Sequence, residues 1–276
     1  MNQSTTQQPM VLQGDGPVLL TLHADGVAHV RLNRAESANG LNTELLKALH
    51  EVLMQVHGDG RVRSVLITGA GKNFCAGGDV HTFLSKGEQL PDYIRVATSY
   101  LQLAASLLIR MNPPVVSAVQ GFAAGGGGMG LVCSSDFVIA GESSKFLAGA
   151  TRVAMVPDAG VSVTLTQLVG LRKAMEILML NPVITAPEAK AMGLITRVVP
   201  DLDLEDEAWA LARQLAEGAP AALANTKRLL WSGIGRGVEA AMPEENNTQA
   251  LLSGMADARE GLAAVIEKRA PRFTGR

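Results

Sequence analysis

The sequence predicts an α/β fold, and three observations support this prediction. Up to Pro200, short apolar runs typical of strands alternate with longer amphipathic patterns typical of helices. After Pro200 the chain becomes alanine-rich and its pattern is helical only. Of the 276 residues, 47% are hydrophobic but only 4% are aromatic, a composition that suits a large core in which helices pack closely on a sheet.

The same alternation places each element in order along the chain. Strands are predicted over residues 18–22, 27–33, 64–68, 115–119, 137–140 and 195–199. The first two strands are joined through Asp25-Gly26, which is a hairpin signal. Helices are predicted over residues 42–58, 93–111, 129–134 and 161–169, and then over 204–216, 219–231, 238–256 and 260–269. Pro243 predicts a break or kink in the helix over 238–256.

Three regions follow from this pattern. Residues 1–15 are polar and are predicted to be a disordered tail, residues 16–203 form the α/β core, and residues 204–276 form a helical region. The N-terminus has no signal-peptide pattern, and no apolar run reaches the ~20 residues of a membrane span. The net charge of −2 argues against nucleic-acid binding, and two cysteines fit a reducing compartment. We therefore expect a soluble, cytoplasmic protein.

Two glycine-rich segments carry the functional signal. The sequence GFAAGGGGMG at residues 121–130 follows the apolar run VVSAVQ, and FCAGGD at residues 74–79 follows SVLITGAG. Glycines at the start of a helix let backbone N–H groups approach a ligand oxygen closely. Two such N–H groups on one carbonyl oxygen would stabilise an enolate or a tetrahedral oxyanion. The alternative is that both segments are tight connections without a ligand.

Four segments together are similar to those of the crotonase, or enoyl-CoA hydratase/isomerase, superfamily. They are LNR at 32–34 with NGLN at 39–42, then residues 74–79, then 121–136 and 155–170; the C-terminal tail from residue 253 also fits. Because they occur in the family's order over most of the chain, the match is far more specific than any one motif. The resemblance implies a crotonase (ClpP-like) spiral core of repeated ββα units, with a C-terminal α-helical region that forms a homotrimer or a dimer of trimers.

The resemblance also implies an acyl-CoA substrate whose carbonyl oxygen accepts hydrogen bonds from Gly78 and Gly126. It implies substrate contacts at a further set of positions: Ala38, Ala76, Gly78, Asp79, Val80, Gly125, Gly126, Lys227 and Phe273. Lys268 and Arg272 are further candidates by resemblance, with a solvated basic helix end as the alternative. Coenzyme A is then part of the substrate, and no separate cofactor or metal is expected.

The two glutamates of the family's hydratases are absent from this sequence. Met129 and Ala150 occupy the corresponding positions. Neither side chain can activate water or deliver a proton, so ordinary hydratase activity is not expected. One acidic candidate remains, Asp158 in VPDAG, at a position where isomerases of the superfamily have an essential aspartate. A double-bond shift needs only one base, and burial would raise the pKa of such a carboxyl. The alternative is that Asp158 caps the helix that follows it.

Other reactive residues are assigned structural roles. Asp79 heads a helical segment and is predicted to be an N-cap, while His81 is predicted to be an exposed helix residue. Cys75 and Cys133 lack the spacing of a redox or metal motif and are expected to be buried thiols. The leading hypothesis is an acyl-CoA isomerase that acts on an enoyl-CoA or an epoxyphenylacetyl-CoA, with Gly78, Gly126 and Asp158 in the site. The alternatives are a hydratase with non-standard residues and a catalytically silent acyl-CoA-binding protein.

Overall fold

The structure, a computed structural model, describes residues 8–276 and confirms the α/β prediction. The strands are β1 Met10–Gln13, β2 Val18–Leu22, β3 Val27–Leu32, β4 Ser64–Gly69, β5 Val115–Val119, β6 Phe122–Ala124, β7 Phe137–Gly141, β8 Lys145–Leu147, β9 Ile184–Thr185 and β10 Arg197–Val199. The helices are α1 Thr43–Gly58, α2 Val80–Ser85, α3 Leu90–Arg110, α4 Gly125–Cys133, α5 Val161–Val169, α6 Leu171–Met175, α7 Ala186–Ala191, α8 Leu204–Ala216, α9 Pro220–Gly233, α10 Val238–Ser253 and α11 Ala256–Glu267. A π-helical turn over Glu176–Leu180 continues α6.

A seven-stranded sheet forms the centre of the fold, in the order β1-β2-β3-β4-β5-β7-β10. The pairs β1/β2 and β2/β3 are antiparallel, and the pairs from β3 to β10 are parallel. The central strands are apolar on both faces, and all five residues of β5 are buried. That pattern is typical of parallel strands covered on both sides by helices.

A second, smaller sheet of β6, β8 and β9 stands beside the first. Only two residues separate β5 from β6, and three separate β7 from β8, so each long strand is followed by a short one in the other layer. Isolated bridges pair Leu41 with Gly78 and Cys75 with Ala123, which extends this short layer back along the chain. The units β5-β6-α4 and β7-β8-α5 are therefore repeated ββα units, as the family resemblance implies.

Two apolar clusters cover the two faces of the large sheet. The larger one contains residues of α1, α3 and α4, including Leu45, Leu101 and Leu131. The other consists of sheet residues packed against α8, through Ala208 and Leu211 among others. The division at residue 204 therefore needs a correction, because α8 covers the sheet of the core and is not separate from it.

Several sequence predictions differ from the structure at the edges of elements. The disordered tail predicted for residues 1–15 is wrong for residues 10–13, which form β1 because their backbone pairs with β2; residues 1–7 lie outside the described residues. The helix predicted over 129–134 begins four residues earlier, at Gly125. Strands β6, β8 and β9 were not predicted, because two or three residues are too few for a periodicity signal. Pro243 does not end α10, which runs from Val238 to Ser253.

The C-terminal helices expose large apolar side chains. Leu230 of α9, Leu251 of α10 and Ile266 of α11 are 71%, 72% and 80% exposed. Such a surface on helices α9 to α11 is typical of an interface between subunits. Within residues 8–276, no helix is both long enough and apolar enough to cross a membrane.

Candidate active site

The two glycine segments meet in the structure. Ala124 donates its N–H to the carbonyl of Cys75 at 2.8 Å, and Cys75 donates its N–H to Phe122 at 3.1 Å. Gly77 has a φ of 88°, and a Cβ added there would lie 2.6 Å from the carbonyl oxygen of Ala124 and 2.7 Å from Cα of Gly125. Only glycine permits both this left-handed conformation and this close approach of two backbones. The two glycine segments are therefore in direct contact, which the sequence alone could not establish.

Two backbone N–H groups at this junction, those of Gly78 and Gly126, have no hydrogen-bond partner among the described residues. Gly126 lies in the first turn of α4, where amides have no partner inside the helix, and no side chain caps that turn. Gly78 follows the turn at Gly77, and Phe83 packs so closely over it that a Cβ would lie 2.5 Å from its ring. Within residues 8–276, neither Gly78 nor Gly126 donates a backbone hydrogen bond. Both N–H groups are thus available to a ligand oxygen.

The glycine run opens α4 because the helix start is packed without room for side chains. A Cβ at Gly127 would collide with Leu41, one at Gly128 would lie 2.6 Å from the carbonyl of Cys75, and one at Gly130 would lie 2.6 Å from Cβ of Ala159. Helical glycines cost about 1 kcal/mol each relative to alanine. Close packing against Leu41, Cys75 and Ala159 is the physical reason why glycine occupies these positions despite that cost.

A cavity of about 690 Å³ opens over these N–H groups. Its walls are mainly apolar and come from α1, α3, the start of α4 and residues 147–158. Leu46, Ala97 and Leu101 are 2%, 3% and 4% exposed and line its inner end. Gly78, Gly126 and Asp158 all line this one cavity. A volume of this size suits a small-molecule ligand with an apolar group.

Asp158 is the acidic side chain among the described residues that line the cavity. A Cβ added at Gly126 would collide with its Oδ1 and would lie 2.8 Å from its Cγ, so the carboxyl group rests directly against the start of α4. Oδ1 is buried and has no hydrogen-bond partner among residues 8–276. Burial raises the pKa of Asp158, and a hydrogen bond from its own backbone opposes this only in part. The carboxyl group is therefore poised to accept a proton.

The alternative role of Asp158 as a helix cap does not agree with the structure. Helix α5 begins at Val161, its N-cap residue is Gly160, and no side chain accepts a hydrogen bond there. The backbone carbonyl of Asp158 accepts the N–H of Val161 at 2.9 Å, but the side chain takes no part. The side chain of Asp158 therefore does not cap α5, and its Oδ1 has no hydrogen-bond partner among the described residues.

A polar network supports the first glycine segment from behind. Asn39 is fully buried, and its Nδ2 lies 2.8–3.1 Å from the carbonyl oxygens of Ala70, Asn73 and Phe74. Arg34 pairs with Asp79 at 3.2 Å and also donates to the carbonyl of Gly40. Sequence reasoning quoted Arg34 and Asn39 as motif residues but gave them no role. The sequence signal for this pair was the Asn39-Gly40 step with an arginine shortly before it, because asparagine tolerates the left-handed φ of 55° seen at Asn39.

Asp79 is confirmed as the N-cap of α2, where it accepts the N–H of Thr82 at 3.0 Å. Burial would raise its pKa, but hydrogen bonds from Thr82 and Arg34 outweigh burial and hold the pKa of Asp79 below its usual value. Ala38 accepts the N–H of Ala76 at 3.0 Å, and Ala76 and Val80 line the cavity beside Gly78. His81 is exposed, as the sequence predicts.

Two predicted positions lie away from the cavity. Lys227 is 7% exposed and forms an ion pair with Asp136 at 2.7 Å, with a further bond to the carbonyl of Leu108 at 2.7 Å. It lines a different cavity, of about 420 Å³, between α9 and the core. Phe273 packs beside Gly261 of α11. The structure therefore does not bring Lys227 or Phe273 together with Gly78 within one chain.

Apolar side chains, Met129 and Ala150, occupy the two positions at which the family's hydratases have glutamates. Met129 is fully buried, and together with Ala150, Pro157 and Leu178 it borders a small void of about 10 Å³ behind Gly126. Such a void offers no polar partners to hold a water molecule.

Cys75 and Cys133 are buried free thiols, as predicted, and burial raises the pKa of each to about 12. Among residues 8–276, no cluster of three or more His, Cys, Asp or Glu side chains could hold a metal ion.

Comparisons with known proteins agree on one family. The model of the family described as "Enoyl-CoA hydratase/isomerase" matches residues 23–276. A protein of Rhodobacter capsulatus named "Probable enoyl-CoA hydratase" is 37% identical, covering 92% of this chain and 96% of the relative. The 1,2-epoxyphenylacetyl-CoA isomerase of Escherichia coli K12 is 34% identical, covering 91% of this chain and 96% of the relative.

Solved structures agree with the sequence relatives. An enoyl-CoA hydratase from Polaromonas sp. JS666 superposes with a TM-score of 0.89 at 29% identity, covering 94% of this chain and all (100%) of that one. An enoyl-CoA hydratase from Bacillus anthracis superposes with a TM-score of 0.86 at 31% identity, covering 98% of this chain and 100% of that one. These similarities confirm the crotonase fold predicted from the sequence.

Proposed function

The chain belongs to the enoyl-CoA hydratase/isomerase family, and from this premise we propose that it is an acyl-CoA isomerase that uses Asp158 as its one proton shuttle. The observation that carries the proposal is the position of the Asp158 carboxyl group, whose Oδ1 is buried without a hydrogen-bond partner against Gly126 in the first turn of α4. The N–H groups of Gly78 and Gly126 would hold the thioester carbonyl oxygen beside it. Coenzyme A enters as part of the substrate.

The chemistry follows from these three groups. The Asp158 carboxylate removes a proton from C2 of a 3-enoyl-CoA, which breaks the C2–H bond and leaves its electron pair in a dienolate. The two N–H groups stabilise the negative oxygen of that dienolate, an effect of about 3 kcal/mol for each donor. The protonated carboxyl group then delivers the proton to C4, and the double bond moves to C2=C3. The reaction is redox neutral, so its balance needs no redox cofactor.

The walls around Asp158 favour this reaction over hydration. Hydration needs a group that activates water and a second one that supplies a proton. Met129 and Ala150 supply neither, and the void beside them is apolar. A proton shuttle, in contrast, needs one carboxyl group with a raised pKa, because the same oxygen takes and returns the proton.

Ring opening of an epoxyphenylacetyl-CoA is a second candidate function. The observation that favours it is the 34% identity to a relative named for that activity. It would use the same oxyanion donors and the same carboxyl group, and the mainly apolar cavity of about 690 Å³ would accommodate a ring.

The test is the absorbance change when purified protein is mixed with a 3-enoyl-CoA, followed at the wavelength of the conjugated 2-enoyl thioester. Appearance of the conjugated thioester supports the double-bond isomerase. A parallel reaction starts from a 2-enoyl-CoA and measures the 3-hydroxyacyl-CoA by mass spectrometry, which would reveal a hydratase because only hydration adds water. A third reaction offers 1,2-epoxyphenylacetyl-CoA. Turnover in the second reaction alone, or binding without any turnover, would contradict the proposed function.

We also propose that the exposed apolar side chains on α9, α10 and α11 are covered in a homotrimer or a dimer of trimers. Their exposure, between 68% and 80% for Leu251, Leu262, Val265 and Ile266, supports it. Light scattering on the purified protein distinguishes three or six chains from one. A monomer at micromolar concentration would refute this assembly.

A further inference from the structure

One buried asparagine behind the cavity has no part in the proposed chemistry. Asn181 follows the π-helical turn Glu176–Leu180, which continues α6, and it is 4% exposed. Its backbone is left-handed, with a φ of 51°, which asparagine tolerates better than most residues. π-helical turns are rare and frequently occur at functional sites. The position therefore calls for a physical reason.

The hydrogen bonds of Asn181 converge on one short segment, which we call the cavity wall: residues 149–153. Oδ1 accepts the N–H of Gly149 at 2.7 Å, and Nδ2 donates to Oγ1 of Thr151 at 2.6 Å. The backbone carbonyl of Asn181 accepts a hydrogen bond from Nη2 of Arg152, also at 2.6 Å. Thr151 additionally donates from Oγ1 to the carbonyl of Leu178 at 3.1 Å. One residue thus binds three of the five members of the wall, Gly149, Thr151 and Arg152.

The cavity wall lies beside the start of α4 and borders the same cavity as the oxyanion-hole candidates. Gly149, Ala150 and Val153 line the same cavity as Gly126 and Asp158. A Cβ added at Gly149 would lie 3.9 Å from the backbone N of Gly125, so the wall stands one van der Waals layer from the start of α4. Its position therefore sets how much room an acyl group has beside Asp158.

The wall has little secondary structure of its own to hold it there. Strand β8 ends at Leu147, and the wall contains only a short 3-10 turn over Ala150–Val153. Val153 and Thr151 are exposed, so the wall is not buried in the core. Without a sheet ladder or a packed face, hydrogen bonds from a fixed partner decide where such a segment lies.

From these contacts we infer that Asn181 is a positioning residue of the acyl pocket, which holds the cavity wall against the acyl group of the substrate. This inference rests on the proposed function only in that the cavity receives an acyl-CoA. It predicts that loss of the amide loosens the acyl part of the site and leaves the coenzyme A part unchanged, because the wall borders the inner cavity near Asp158.

The chain offers a variant that isolates the side chain. Asn181→Gly removes both amide hydrogen bonds, and glycine adopts the left-handed conformation without strain. Loss of two hydrogen bonds to the wall should weaken octanoyl-CoA binding about tenfold. Octanoyl-CoA is saturated, so binding can be measured by calorimetry without turnover. Free coenzyme A is the matched ligand, and we expect its affinity to change less than about twofold.

Thr151→Val is a second variant that does not depend on the fold tolerating a change at Asn181. Valine keeps the shape of an exposed threonine but removes the oxygen that Nδ2 binds. We expect a smaller loss of octanoyl-CoA affinity, about threefold, in the same direction. Asn181→Asp keeps the acceptor for Gly149 and should lie between the glycine variant and the wild type.

The outcomes separate this inference from the proposed function. Selective loss of octanoyl-CoA affinity supports the positioning role, even if the wild type shows no isomerase activity. Equal loss for octanoyl-CoA and coenzyme A would overturn it, and so would a lower melting temperature with unchanged affinities, which is the signature of a residue that only stabilises the fold. If Asn181→Gly does not fold, unchanged affinity in Thr151→Val overturns the inference.

Discussion

Gly126→Ala is the substitution that tests the site most selectively. Gly126 lies in the first turn of α4 and is not among the glycines with a positive φ, so alanine fits the backbone there. The three atoms nearest to a Cβ at this position all belong to the carboxyl group of Asp158. The substitution therefore pushes on the proposed proton shuttle while it leaves the N–H of residue 126 in place.

The size of the effect follows from the distances. The new Cβ would lie 2.8 Å from Cγ of Asp158, whereas ordinary van der Waals contact begins at 3.4 Å. The carboxyl group must therefore retreat by more than half an ångström, because the helix backbone cannot move in its packed surroundings. A displacement on the order of 1 Å of a reacting group costs about 100-fold in rate. Stability should change little, since alanine gains about 1 kcal/mol of helix propensity that offsets the contact.

The assay is the rate of conjugation of a 3-enoyl-CoA, measured beside the melting temperature by circular dichroism. Gly126→Ala/Asp158→Ala is the matched control, because the methyl group then has no carboxyl group to meet. In the Asp158→Ala background we expect Gly126→Ala to raise the melting temperature, and in the wild-type background we expect no such gain.

Wild-type activity in Gly126→Ala would refute the reasoning, since a displaced carboxyl group could not then be the proton shuttle. A lower melting temperature in both backgrounds would also refute it, because the methyl group would be meeting something other than Asp158.

Three further predictions concern stability. Because burial raises the pKa of Asp158, the folded state binds the proton more tightly than the unfolded state does, and the wild type loses stability as pH rises above ~4. The difference in unfolding free energy between Asp158→Asn and the wild type, measured in urea, should therefore shift in favour of the variant between pH 3 and pH 7. An unchanged difference between the two pH values would contradict this. Asn39→Ala removes the hydrogen-bond partner of three carbonyl groups and should lower the free energy of unfolding by about 3 kcal/mol, measured in the same way. A loss below 1 kcal/mol would show that these carbonyl groups bind water instead. Lys227→Ala leaves Asp136 without its ion-pair partner and should lower the free energy of unfolding by about 3 kcal/mol. A tenfold loss of coenzyme A affinity without a loss of stability would instead support the substrate contact that the family resemblance implies.

Sequence reasoning succeeded where the chain has long periodic elements. The six predicted strands all belong to the large sheet, and α1 was placed within one residue, at Thr43–Gly58. The short second sheet was missed because β6, β8 and β9 depend on pairing between distant segments, and two or three residues carry no period. The N-terminal strand was missed because its four residues are largely exposed.

The candidate site shows the same division. Glycine spacing indicated two backbone loops, but only the structure shows that Gly77 and Gly125 touch. Asp158 could be read as a catalyst or as a cap, and the missing side-chain bond at Gly160 required coordinates. Asn181 gave no signal at all, because its partners in the cavity wall are 29 to 32 residues away in sequence. Local sequence patterns identify the candidate site residues, and tertiary contacts decide which of them lie together.

The central claim is that Asp158 moves the proton, and the most direct test is the single-turnover rate of Asp158→Asn with a 3-enoyl-CoA. Asparagine keeps the size of the side chain but cannot accept a proton. The account predicts a loss of about 1,000-fold in this rate with acyl-CoA affinity retained. In the wild type, the rate should rise with pH as the carboxyl group ionises, above the usual pKa of an aspartate. An Asp158→Asn variant that converts the substrate within tenfold of the wild-type rate would contradict the account.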